Sequence, residues 1–408
     1  MTDADGHCGL PGRRAGAPAQ ERPATQRDAP PAGTGGDPGS AGRKKLRVLV
    51  IAMNYAPETV GVGRYAAETA AALAARGHAV TVVTAPPHYP CWRTGPWRAD
   101  GYRNRYATET RDGVRVIRCP LPLPRRVAGW RRLAPPLGFA LAAAPVILWL
   151  GARRRPHLTL CAEPTLLALF PALAAARVAG ARLALHVHDL EPEAFAAGWR
   201  RAPLPVRILQ RARRRADAII TLSQAMAARL AAGGVAPDRV HICPNWADID
   251  AIAAGGDPAT AARWRSRLGL RPEQRVVLCA GAINRKHTPG LLIEAARRLR
   301  DDDGAVIVLA GEGPLAEEAR RAAREVPAFR WMPPQPEPLL PTLMHFADAH
   351  VLPLDPAFDD LALPSRLGAM LASGRPVVAT ATADSFAGRF LGAAATLCPR
   401  SRTPWPRP

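Results

Sequence analysis

The chain reads as an α/β protein of two successive Rossmann-like domains, and three observations carry that reading. Continuous apolar runs of strand length alternate with Ala/Leu/Arg-rich stretches of helical length, the pattern left by parallel strands buried on both faces. The alternation comes in two series, one before and one after Asn245. A chain of 408 residues is also long enough for two cores of ordinary size.

Residues 1–42 stand apart from this pattern. They hold six Pro and nine Gly, and Leu10 is their only large aliphatic residue after the initiator Met. Such a stretch buries too little to offset its chain entropy, so a disordered extension is expected there. The first domain is expected over 43–245. It opens on "KKLRVLVIAM" and continues through the strand-like runs "AVTVVT", "VRVIRC", "LTLCAE", "ARLALHVHD" and "ADAIITLS". Helices are expected over Gly63–Arg76, Thr165–Ala179 and Gln224–Ala232 between those runs. The boundary falls near "CPNWADIDAI". A second domain over 246–388 follows, with "RVVLCAGA", "AVIVLAGEG", "FRWM", "AHVLPL" and "RPVVAT" as its strands. An unstructured Pro/Arg-rich tail is expected over 389–408.

Composition limits the function classes. The formal charge is +21, which favours anionic partners such as phosphates or an anionic membrane surface. Aromatic residues make up only 5%, too few to interleave a basic patch with stacking rings, so nucleic acid is not an expected partner. Seven Cys are scattered without a C-x-x-C pair. This argues against a disulfide framework or a zinc site and points to a reducing compartment. The first 42 residues contain no apolar run of signal-peptide type.

Two Arg clusters have no acidic residue inside them. The segment 125–155 contains seven Arg that bracket "LAPPLGFALAAAPVILWLG", and 200–215 contains seven more. The apolar stretch approaches spanning length but is interrupted by Pro135, Pro136 and Pro145. An interfacial segment with Arg on lipid phosphates is one reading, and a core helix with solvated Arg at its ends is the other.

"VGVGRYA" supplies Gly61, Gly63 and Ala66 in a G-x-G-x-x-A pattern, and two tests remove it from the dinucleotide class. The first Gly should follow the first strand directly, but "NYAPETV" intervenes. The second strand should end on an acid, but it ends "VVTAPPHYP". What remains is a glycine loop entering a helix, where backbone N–H groups can meet a phosphate or sugar oxygen. A plain turn is the alternative.

Ligands of open α/β sheets bind beyond the carboxyl ends of the strands, so the polar residues there are the site candidates. His186, His188 and Asp189 close one strand, with Glu191 and Glu193 just beyond. A His beside a carboxylate can accept or relay a proton. In the alternative, Asp189 caps the next helix and His188 packs. A metal held by this group lacks any fixed ligand spacing, and no metal is expected. In the second series Arg285 and Lys286 lie between a strand and a helix, suited to a diphosphate. Glu312 lies in the "AGEGP" turn, a place for a nucleotide base. Asp359 and Asp360 precede Pro364, Ser365 and Arg366, where Ser365 can cap a helix or donate to a phosphate.

Taken in order, "NYAPETVGVGRY", "RGHAVTVVTAPPHYP", "HVHDLEPEAF", "CPNWADI", "GAINRK", "AGEGP" and "LALPSRLGAMLASGRPVVAT" resemble the family 4 glycosyltransferases of GT-B fold, in their colanic-acid/exopolysaccharide branch. The resemblance implies two Rossmann-like domains facing a cleft, with an N-terminal acceptor domain and a C-terminal donor domain. It implies retaining transfer from a nucleotide diphosphate sugar to a polyprenyl-linked glycan, without metal, by a cytoplasmic enzyme peripheral at the inner membrane face. Carried over, His188, Asp189 and Asp360 fall at catalytic positions; Gly61, Gly63, Arg285, Lys286, Glu312, Ser365 and Arg366 fall at donor-binding ones. Some positions depart from the family pattern. Asp360 replaces the first Glu of the family's E-x7-E and Gly368 the second, while "KHTPG" displaces a Gly. The motifs stop near Ala383, which implies a C-terminal domain without its last helices. A non-catalytic remnant that binds nucleotide or anionic membrane is the alternative.

Overall fold

The computed structural model describes residues 44–58, 61–88, 102–123, 134–163, 165–190, 204–284, 289–299, 304–354, 365–383 and 385–398. Two sheets organise them. The first runs, edge to edge, through β3 (Ala107–Arg111), β4 (Val114–Arg118), β2 (Ala79–Thr84), β1 (Arg47–Ile51), β5 (Leu158–Glu163), β6 (Arg182–Val187), β7 (Ala218–Thr221) and β8 (Val240–Ile242). Only the β3–β4 pair is antiparallel. The second sheet is parallel throughout. It runs β11 (Phe329–Met332), β10 (Ala305–Ala310), β9 (Arg275–Ala280), β12 (Ala349–Leu352), β13 (Val377–Ala379) and β14 (Thr396–Leu397).

Strand alternation explains why helices cover both faces of the first sheet. Leu49 and Ile51 of β1 join a core with Phe139, Ile147 and Leu150 of α2 (Ala134–Arg154) and Leu169 and Leu173 of α3 (Leu169–Ala179). Val48 and Val50 point the other way and pack with Ala66 and Ala70 of α1 (Val62–Ala75). The second sheet repeats the device: Ile307 and Leu309 pack with Leu292 and Ile293 of α8 (Pro289–Arg298) and Ala316 and Ala319 of α9 (Ala316–Glu325). In both sheets the strand order reverses at the first strand. β1 has β2 on one side and β5 on the other, and β9 has β10 and β12. Such switch points place crevices at the carboxyl ends of the central strands.

The remaining helices are α4 (Leu204–Arg213), α5 (Gln224–Ala232), α6 (Ile249–Ala253), α7 (Pro258–Arg267), α10 (Leu340–Phe346), α11 (Leu367–Ala372) and α12 (Phe386–Leu391). Helix α12 runs across position 388, where the sequence suggested that the domain ends, and β14 follows it to pair with β13. The first part of the expected unstructured tail is therefore a helix and an edge strand. Ser385 caps α12 by accepting the Gly388 N–H at 2.9 Å, two residues beyond the end of the recognisable motifs at Ala383.

The two Arg clusters also change meaning. The apolar stretch is one helix, α2, that passes through Pro145 and has mean hydropathy 1.6 in its most apolar window. By length and composition it could cross a membrane, but Phe139, Ala143, Ile147 and Leu150 are sealed in the core. Its outer stripe is Leu137, Leu141, Leu148 and Trp149, so the helix is both a core helix and an exposed apolar surface. In the second cluster, Arg213 is not part of a basic face. It is 1% exposed and ion-paired to the fully buried Glu163 at 2.6 Å.

Candidate active site

The carboxyl end of β6 builds the centre of the site. Ala184 of β6 lies on the sheet face that packs with α1, so His186 and His188, two and four residues on, turn to that same face. Their rings stand 3.9 Å apart between centroids, and both are nearly excluded from solvent. Burial lowers the His186 pKa to about 4 and holds His188 well below the usual imidazole range, with His186 adding to the latter effect. Both rings are therefore neutral at physiological pH. That suits hydrogen bonding to hydroxyl groups better than storing a proton, the role the sequence suggested for a His beside Asp189.

Helix α1 and the inter-domain linker complete the wall. Tyr65 stacks on His188 with centroids 5.6 Å apart and 21° between planes, and Trp246 meets Tyr65 edge-on at 5.0 Å. The Trp246 indole donates to Glu68, which also accepts from Arg64 at 2.6 Å. Asn245 supplies a further amide. His186 Nε2 is buried here without a protein partner, and the His188 ring and the Asn245 side chain face one another beside it. Arg366 Nη2, beside the second sheet, also lacks a protein partner. Buried polar atoms without partners are costly and uncommon, which makes these residues candidates for contact with a polar ligand.

The second sheet faces this wall through the turn before α11. The Tyr65 hydroxyl donates to the Ser365 carbonyl at 3.3 Å, and Arg64 lies 3.8 Å from Glu337. Ser365 is exposed. Arg366 reaches back to β9, where Nη1 donates to the Ala280 carbonyl and approaches the Cys279 sulfur. Gly281 leaves room for it, since a Cβ there would fall 2.8 Å from that same nitrogen. Glu312 is half-buried and held by Arg320 at 2.6 Å, while the Arg320 guanidinium lies 4.5 Å over the Trp331 ring. The glycines beside Glu312 serve the chain itself. A side chain on Gly311 or Gly313 would overlap the carbonyls of Gly281 and Ile283.

The glycine pair of α1 differs from the sequence reading in a similar way. Gly61 takes a positive φ of 65° at the helix start. Gly63 packs against Glu58, whose Oε2 would lie 3.1 Å from a Cβ there. Glu58 is buried, accepting the His88 backbone N–H at 2.7 Å and the Asn54 amide at 2.9 Å. The turn thus seats a carboxylate of the protein, and an approaching phosphate would meet that charge. Glu58, His88, Tyr65, Trp246 and Asn245 were not singled out in the sequence. "APETV" and "CPNW" read as an approach loop and a linker, and only the tertiary contacts give them roles. Asp189 follows His188 and is half-buried. Arg285, Lys286 and Asp360, together with Glu191, Glu193, Asp359 and Pro364, lie outside the described residues. Among the described residues no three His, Cys, Asp or Glu gather as a metal site.

Comparisons with known proteins fit this architecture. A family model described as "Glycosyl transferase 4-like domain" matches residues 60–246, and one described as "Glycosyl transferases group 1" matches 274–399. The chain is 32% identical over 360 residues to the glycosyl transferase WcaI of Escherichia coli (strain K12), provisionally assigned to colanic acid biosynthesis. That alignment covers 85% of this chain and 86% of WcaI. The chain belongs to the family 4 glycosyltransferases. Its GT-B fold is shared with solved structures at identities that speak to fold alone. One is Anabaena Alr3699/HepE in complex with UDP and glucose, with TM-score 0.59 and 15% identity over 87% of this chain and 86% of that one. Another is WaaG, a glycosyltransferase involved in lipopolysaccharide biosynthesis, with TM-score 0.59 and 16% identity over 86% and 85%. The group 1 match extends past Ala383, where the recognisable motifs of this glycosyltransferase give out.

Proposed function

We propose that this glycosyltransferase moves a hexosyl group from a nucleotide diphosphate sugar to a lipid-linked or polysaccharide acceptor in cell-envelope polysaccharide synthesis, with retention at the anomeric carbon. The observation that carries the reading is the buried polar group at the carboxyl end of β6, His186 with its unpartnered Nε2 beside His188 and Asn245, which Tyr65 ties to the second-domain turn that holds Arg366 and its unpartnered Nη2. A sugar hydroxyl can donate to one imidazole nitrogen and accept from the other, which is what two neutral rings offer. Arg366, with Arg285 and Lys286, would carry the diphosphate in place of a metal. Ser365 at the same turn would contact the phosphates, Glu312 would lie toward the base, and Asp360 toward the donor sugar. Gly61 and Gly63 act mainly by shaping the α1 entrance. The bond from the anomeric carbon to phosphate oxygen breaks as the acceptor oxygen bonds from the same face, and the acceptor's proton passes to the departing diphosphate. HepE, described with UDP and with UDP-glucose, and WcaI, provisionally named for colanic acid biosynthesis, support the donor and the pathway class.

The same reading places the enzyme peripherally at the cytoplasmic face of the inner membrane. Helices α2, α3 and α4 form one layer and carry eight of the twelve large exposed apolar side chains among the described residues. Arg153, Arg154, Arg177, Arg207 and Arg211 lie among them, a combination suited to an anionic lipid surface.

The test uses the purified full chain with UDP-glucose, UDP-galactose, GDP-mannose and GDP-fucose, read by calorimetric binding, transfer to a polyprenyl-linked acceptor and the anomeric configuration of the product. One donor should bind and be transferred with retention. His188→Ala should lower transfer by about a hundredfold with donor affinity little changed. Absence of both binding and transfer with every donor would remove the enzymatic reading, and binding without transfer would leave a nucleotide-binding remnant.

A further inference from the structure

Tyr65 lies where three parts of the molecule meet. Its ring is stacked on His188 at the end of β6, and its edge contact is Trp246 of the linker. Its hydroxyl reaches across the cleft to the Ser365 carbonyl. The side chain is only 2% exposed, so this hydroxyl needs its cross-domain partner, because a buried phenol left without one is penalised. Burial also pushes its pKa up to about 12, which keeps the proton on the hydroxyl and the bond available at any working pH.

The neighbours of Tyr65 make the same crossing. Arg64 pairs with Glu68 and approaches Glu337, and Glu68 holds the Trp246 indole. The first turn of α1 is therefore clasped by β6, the linker and the second domain together. The partner of the Tyr65 hydroxyl is the residue before Arg366, whose Nη2 is one of the unpartnered atoms of the cleft. A shift of the Ser365–Arg366 turn reaches the His188 ring through one rigid aromatic side chain.

We propose that Tyr65 is a positioning residue that sets the His188 ring and the Ser365–Arg366 turn together, so that the donor-side turn and the sugar-contacting ring reach their working places as one unit. The hydroxyl fixes the turn, and the ring fixes His188. This rests on the donor-cleft reading above and assigns separate kinetic effects to two halves of one side chain.

The experiment compares wild type, Tyr65→Phe and Tyr65→Ala with whichever donor of the panel the wild type turns over, following initial rates against donor concentration and thermal melting in parallel. Tyr65→Phe keeps the stack and loses the bridge. Its donor KM should rise about fivefold, about 1 kcal/mol at 1.4 kcal/mol per tenfold, with kcat changed less than twofold. Tyr65→Ala loses both, and kcat should fall tenfold or more in addition. The Phe variant thus rescues kcat but not KM. A Phe variant with wild-type KM, or one whose kcat falls as far as that of the Ala variant, overturns the proposal. If the Ala variant does not fold, the Phe variant decides alone, because the loss of one hydroxyl leaves the packing in place. Wild type that neither binds nor transfers any donor overturns the enzymatic reading and this inference with it. Active wild type with indifferent variants overturns this inference alone.

Discussion

At the scale of single residues, the buried histidines make a prediction about pH. His186 holds a folded-state pKa of about 4 because its charged form would lose its hydration. The unfolded chain titrates near 6.5, so below that pH it binds a proton that the folded protein refuses. Above pH 6.5 the group contributes no difference. As pH falls from 6.5 towards 4 the folded state loses ground, and the loss levels off once the folded ring titrates too. At pH 5 the difference amounts to about 2 kcal/mol. Urea unfolding of wild type and His186→Gln at pH 7.5 and pH 5.0 checks this, with the variant losing less stability between the two. His188 and His350 are displaced in the same direction by burial, so the wild type keeps part of the slope elsewhere. Equal slopes in both proteins would show that His186 does not resist protonation. Strand alternation is enough to put His186 and His188 on one side of a strand end. It could not show that the side was dry, because that depends on α1 closing over it.

At the scale of elements, the tie between β5 and α4 rests on an ion pair that the sequence concealed inside a run of arginines. Arg213 grips Glu163 with Nε at 3.0 Å and Nη2 at 2.6 Å, and both side chains are buried. Removing one partner leaves a charge without solvent or counter-ion, so Arg213→Ala should cost about 3–5 kcal/mol. Replacing both with Leu should recover much of that loss, because the expense of burying the charges disappears along with their attraction. Denaturant midpoints of the two variants report this, and an Arg213→Ala loss below about 1 kcal/mol would mean that the pair is hydrated in solution. The same element shows the limit of charge counting. Arg207 and Arg211 of α4 are exposed beside Leu204 and Ile208, while Arg213, two residues on from Arg211, belongs to the core. Helical phase distinguishes them, and the bare count of seven arginines does not.

At the scale of the whole molecule, the proposed function assigns work to two surfaces: the candidate site between the sheets, and the α2–α3–α4 layer on one face of the first. Liposome binding tests the second. Vesicles rich in phosphatidylglycerol should retain the protein, and raising the salt from 50 to 500 mM should release much of it. Leu141→Glu combined with Trp149→Glu should weaken binding at least tenfold without altering the fold, since both side chains point outward. Retention of the double variant at wild-type levels would show that this layer is not the lipid contact. The fold was legible in the sequence wherever a strand was buried on both faces, as with "VVLCAG" or "AVIVLAG", because such strands must be continuously apolar. β3, with its "ATETR" sequence, and β8 went unseen because edge strands in contact with solvent carry no such run. By itself the sequence determined two parallel-sheet domains, their order, and the strand ends at which polar groups gather, since these follow from local periodicity and from where apolar runs stop. Only the tertiary structure decided that Glu58 fills the glycine turn, that Arg213 turns inward, and that Tyr65 joins His188 to Ser365. Each of those is a contact between residues 5, 50 or 300 positions apart, with no periodicity in the chain to announce it.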